Sequence, residues 1–167
     1  LFIGDVPAGF RNRHRVIAAL GRRRSKNPFA LRETLDHATK AVVGSDTQLV
    51  HGHSSFGGVY GALLSRRLDK PFVYTPHASP AMIPERSLVD RIVGLAEIVS
   101  CRRARAVIAC SDDEASVLRR YTGDGRLKVI PNGVIAPGSS PAGGRNWDIL
   151  FVGRVSRQKR PDLFVRL

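Results

Sequence analysis

Residues 49–78 read "LVHGHSSFGGVYGALLSRRLDKPFVYTPHA", and three segments of different character lie inside them. Leu49 and Val50 close a short apolar run that passes into His51, His53, Ser54 and Ser55. Tyr60, Leu63, Leu64 and Leu68 then recur at spacings of three and four, which is one face of a helix. After Pro71, Phe72 to Thr75 are aromatic or β-branched, a strand by composition that ends at Pro76 and His77. Strand, helix and strand in direct succession predict a parallel pair joined by a helical crossover.

The alternation continues in both directions. Upstream, "LFIGD" reads as a strand, "RHRVIAALGRRR" as a helix, and "PFALRETLDHATKAVV" sets Leu31, Leu35, Ala38 and Val42 on one helical face. Downstream, Leu88, Ile92, Leu95 and Val99 form another helical stripe, and "RAVIAC" (105–110) is a strand. Ser111 and Glu114 are spaced as a capping box at the head of "SDDEASVLRRY". "LKVIPNGV" is a short strand entering a Pro-Asn-Gly turn, and "IAPGSSPAGGRN" (135–146) has no periodicity, so it reads as a linker. Beyond it, Ile149 to Val152 read as a buried strand, and Pro161 suits the first position of a helix. The predicted class is α/β: a Rossmann-like parallel sheet with helices on both faces over residues 1–134, a linker at 135–146, and the start of a second domain at 147–167. Leu1 in place of Met, and a helix beginning so near residue 167, lead us to expect a segment of a longer protein.

The formal net charge of +13 favours polyanions, whether nucleic acid, an anionic membrane or phosphorylated substrates. Apart from "RNRHR" and "GRRRSK" the basic residues are spread along the chain, which fits a solvated basic surface. Cys101 and Cys110 form no CxxC pair, so neither a disulfide framework nor a zinc signature is expected. No apolar run approaches the ~20 residues that span a bilayer, and a cytoplasmic location is the expectation.

In parallel sheets ligands bind beyond the carboxyl ends of the strands. Those ends carry His53, Ser54 and Ser55, then His77, then Ser111, and these are the candidate rim of a cleft. Ser111 reads equally as a helix cap. Gly57 and Gly58 either bring backbone N–H groups to a ligand or allow close helix–strand packing. His51 and His53 alternate along one strand and point the same way, but two histidines lack the third ligand a metal needs, so no metal is expected. The cations from Arg154 to Arg160, beside a helix start, form either a solvated loop or an anion site.

Four motifs, "LVHGHSSFGGVYGALLSRRLDKPFVYTPHA", "AVIACSDDEASVLRRY", "KVIPNGV" and "ILFVGRVSRQKRPDL", stand in an order that resembles the retaining glycosyltransferases of family 4. The resemblance implies the GT-B fold, in which a first Rossmann-like domain holds the acceptor and a second holds a nucleotide-sugar donor. It implies transfer of a hexosyl unit from a nucleotide-diphosphate sugar, as substrate and without a metal or other cofactor, to a sugar or lipid-linked acceptor. Arg154 and Lys159 match the family's basic pair on the donor diphosphate, and His77 matches the catalytic histidine that faces the transferred sugar. A Gly usually follows that Lys; here Arg160 stands there. In members that glycosylate lipids a basic amphipathic segment meets anionic membrane, and residues 11–26 have that character, or that of an ordinary solvated helix. A nucleotide-sugar 2-epimerase, a nucleic-acid-binding domain and a non-catalytic acceptor-domain segment are the alternatives. The nucleic-acid reading rests on charge alone, without a helix-turn-helix, stacking aromatics or a zinc module.

Overall fold

The computed structural model of the chain describes residues 28–77, 88–133, 149–153, 155 and 159–166. It divides into two units, Leu1–Asn132 and Gly133–Leu167. The expected "LFIGD" strand, the "RHRVIAALGRRR" helix, the basic stretch 11–26 and the linker 135–146 lie outside the described residues.

The first unit runs α1 (Pro28–Val42), β1 (Val50–His53), α2 (Ser54–Leu68), β2 (Phe72–Thr75), α3 (Leu88–Arg103), β3 (Ala106–Ala109), α4 (Asp112–Thr122), a 3-10 turn (Asp124–Arg126) and β4 (Leu127–Val129). The four strands form one parallel sheet in the order β1-β2-β3-β4, with Val50 opposite Phe72, Val73 opposite Ala106 and Val107 opposite Leu127. Each step goes the same way, and right-handed crossovers then put α2, α3 and α4 on one face. Burial follows that geometry. Val50, Phe72, Tyr74, Val107, Ala109 and Leu127 form one core with Leu35, Ala38, Tyr60, Leu64, Cys101 and Leu118. His51, His53 and Lys128 alternate with them and are exposed. The chain is therefore α/β with a Rossmann-like parallel sheet, and among the described residues the cover by α2, α3 and α4 lies on one face.

Missing side chains set how closely α2 lies on the sheet. A Cβ on Gly58 would stand 2.6 Å from the Tyr74 ring and 3.0 Å from Ser100 Oγ, and one on Gly52 would strike the Gly57 carbonyl. Of the two readings of Gly57-Gly58, Gly58 thus serves packing. The same closeness corrects the expected face of α3. Leu88, Ile92, Leu95 and Val99 form a stripe, but they are exposed at 74%, 60%, 62% and 51%. Gly94, Glu97, Ser100 and Cys101 are the buried positions. The Tyr74 ring occupies the space beside Glu97, Ser100 and Cys101, so small or hydrogen-bonded side chains fit at those three positions. Glu97 is held by Ser55, whose Oγ donates to its Oε1 at 2.6 Å.

The helix ends are closed by side chains. Ser111 Oγ accepts from Glu114 N–H at 3.2 Å, and Glu114 Oε2 accepts from Cys110 N–H at 2.7 Å, so the box reaches one residue beyond the N-cap. At the other end Arg126 donates to the carbonyls of Thr122, Arg102 and Ala104, tying the last turns of α3 and α4 together.

In the second unit the expected buried strand at Ile149–Val152 is not formed; Ile149, Leu150 and Val152 are exposed. A strand needs a neighbouring ladder for its N–H and C=O groups, and none is present among the described residues of this unit. Helix α5 (Pro161–Phe164) does begin at the proline, and Phe164 packs on Phe151 with ring centroids 5.5 Å apart.

Candidate functional site

All four strands end on the same edge of the sheet, and each delivers a polar residue there. His53 closes β1, His77 follows β2, Cys110 follows β3, and Asn132 lies three residues past β4. The chain leaves β1 and β2 through left-handed residues, Ser54 at φ 60° and His77 at φ 54°. Such conformations are costly for side chains other than glycine, and they concentrate where geometry serves a function.

These residues touch. His53 Nδ1 lies 2.9 Å from His77 Nε2, and His77 Nδ1 lies 3.3 Å from Cys110 Sγ. Cys110 Sγ donates to Asn132 Oδ1 at 3.6 Å, a normal length for sulfur. His51 Nε2 shares a hydrogen bond of 2.8 Å with Thr75 Oγ1, and its ring centroid is 4.1 Å from that of His53. Crowding sets the charge state. Partial burial, and then the neighbouring imidazole of His77, holds His51 below its ordinary value; burial, His51 and His77 do the same to His53. Burial and then the Glu114 carboxylate push the Cys110 thiol up, so it remains S–H at neutral pH.

The structure thus brings His53 and His77 together. Ser54 is exposed beside His53, Ser55 is committed to Glu97, and Ser111 to its cap. Lys159 is exposed, with no ion pair among the described residues, while Arg154 lies outside them. Arg160, by contrast, is paired with Asp162 through Nε and Nη2, at 2.8 Å for the shorter contact. It also sits at φ 48°, the conformation a glycine would adopt freely. Two contributors, Cys110 and Asn132, escaped the reading of the sequence. Their one signal was position, just after "AVIA" and inside the Pro-Asn-Gly turn. Among the described residues no group of three or more His, Cys, Asp or Glu is arranged to hold a metal ion, and no helix is long and apolar enough to cross a membrane.

Residues 3–136 match the sequence profile of Glycosyltransferase Family 4. A D-inositol 3-phosphate glycosyltransferase of Nocardiopsis dassonvillei is 38% identical over 141 residues, which cover 71% of this chain and 32% of the relative. The Kineococcus radiotolerans protein of the same name is 30% identical over 152 residues, covering 78% and 34%. This chain therefore spans about a third of the length of the curated relatives it matches. The crystal structure of Anabaena HepE in complex with UDP and glucose is 21% identical, with a TM-score of 0.48, over 70% of this chain and 31% of that one. The profile match takes in both strand-end histidines and the whole four-stranded sheet, and the chain belongs to Glycosyltransferase Family 4.

Proposed function

We propose that the whole protein transfers a hexosyl unit from a nucleotide-diphosphate sugar to an acceptor hydroxyl, with retention at the anomeric carbon. The observation that carries this reading is the hydrogen-bonded meeting of His53 and His77 at the carboxyl edge of the parallel sheet in a family 4 chain. In this reading residues 1–132 form the acceptor side, and His77 stands at the transferred sugar. Arg154 and Lys159 belong to the donor side, where they hold the diphosphate. As the glycosidic bond to the nucleotide breaks, negative charge grows on the departing diphosphate, and fixed cations there lower the barrier without a metal ion. The relatives' name makes inositol 3-phosphate the first acceptor to assay, and the basic balance of this chain suits a phosphorylated one. The protein would work in the cytoplasm, with residues 11–26 against anionic membrane where the acceptor is lipid-linked.

In the full chain, Arg154→Ala and Lys159→Ala are each expected to weaken binding of a nucleoside diphosphate about tenfold or more, the loss of one charge-assisted contact. Titration calorimetry reads this directly, and unchanged affinity in both variants overturns the assignment.

A further inference from the structure

We infer that Asn132, Cys110, His77 and His53 form a one-way hydrogen-bond chain that presents the Nε2 lone pair of His53 to a hydroxyl of the substrate. This rests on the transferase reading above and refines it by naming which of the two imidazoles holds that hydroxyl.

The direction follows from the far end. Asn132 Oδ1 only accepts, so the Cys110 S–H must point at it. The sulfur lone pairs then face His77 Nδ1, which carries the proton and donates. A neutral imidazole protonated at Nδ1 has its lone pair on Nε2, so the bond between His77 Nε2 and His53 Nδ1 is donated by His53. His53 is left with its own lone pair on Nε2, exposed and without a partner among the described residues. Both ring nitrogens of His77 are occupied by protein groups, so His77 is a positioning residue, and the open ring nitrogen of the pair belongs to His53. The suppressed basicity of His53 keeps that lone pair free of a proton at neutral pH. A bare, neutral acceptor on an exposed edge matches a hydroxyl donor, on either the acceptor or the transferred sugar.

The polarity is testable without substrate. In the full chain with nitrogen-15-labelled histidine, held where the imidazoles are neutral, a long-range nitrogen–proton spectrum is expected to show both His53 and His77 protonated at Nδ1. A His53 ring protonated at Nε2 overturns the inference. Cys110→Ala is expected to move His77 toward the Nε2–H form, and Cys110→Ser, which keeps a donor and acceptor at that point, to restore Nδ1–H. For the hydroxyl, His53→Phe is expected to raise one KM about tenfold or more, the value of a lost substrate hydrogen bond, with His53→Gln intermediate. A rise in the acceptor KM assigns the hydroxyl to the acceptor, and a rise in the nucleotide-sugar KM assigns it to the transferred sugar. Both KM values unchanged overturns the inference. Failure of the Arg154 and Lys159 test would sink the donor assignment while leaving the spectrum to decide the polarity.

Discussion

His53 and His77 are 24 positions apart in the chain, yet their rings lie within 18° of parallel and share a 2.9 Å hydrogen bond. With His51 against His53, three imidazoles crowd together on one side of the sheet.

That crowding makes the fold sensitive to acid. His51 and His53 are both held below the ordinary value of 6.5, so the folded state takes up their protons less readily than the unfolded chain. Their contribution is whole above 6.5 and is lost as pH falls through that value toward the lower folded-state values. Thermal melts at about pH 7.5 and 5.5 should show a smaller acid-induced drop in Tm for the His51→Gln/His53→Gln variant than for the parent. An identical drop would mean that the edge does not carry the effect.

Tyr74 offers a test in the opposite direction. Its hydroxyl is buried without a hydrogen-bond partner among the described residues, and burial, with Glu97, Cys101 and Glu114 nearby, holds the phenol far from ionising. Tyr74→Phe removes an unsatisfied polar atom and little else, so it should stabilise the protein by about 1 kcal/mol. The reading is a raised urea midpoint with an unchanged slope.

Two glycines should respond with opposite signs. A side chain at Gly52 meets the Gly57 carbonyl, and backbone cannot move aside as a side-chain tip does. Gly52→Ala is expected to cost about 3 kcal/mol. Nothing lies within 4 Å of a Cβ built on Gly94 inside α3, so Gly94→Ala should stabilise by roughly 0.5–1 kcal/mol through helix propensity. Denaturant titration of both variants checks the pair.

Arg160 holds a left-handed conformation at the head of α5. Arg160→Gly should leave amide exchange in Leu163 and Val165 close to the parent. A β-branched side chain tolerates this conformation worst, and Arg160→Val should speed that exchange by a factor of about ten. Equal rates in the two variants would contradict the strain argument.

The order of strands and helices from Pro28 to Val129 was legible because each element carries its own period or composition. The inward face of α3 was not. Apolarity at Leu88, Ile92, Leu95 and Val99 announces a stripe, but the Tyr74 ring and Gly58 decide what fits beneath, and neither belongs to that helix. Ile149 to Val152 show the same limit, since apolar content cannot supply a pairing partner. At the sheet edge, His53 and His77 stood out as strand-end histidines. Cys110 and Asn132 did not, because a thiol and a turn amide have no period, and only the order β1-β2-β3-β4 makes them neighbours of His77.

That order also bears on how the sheet assembles. Among the described residues β1, β2 and β3 each pair with the strand that follows, so no ladder there waits for a distant segment to return. Chain closure at each step spans one helix and its turns, which keeps the entropic barrier low for a parallel sheet. Each strand–helix–strand step of the described sheet can therefore form on the one before it, without waiting for a long-range closure.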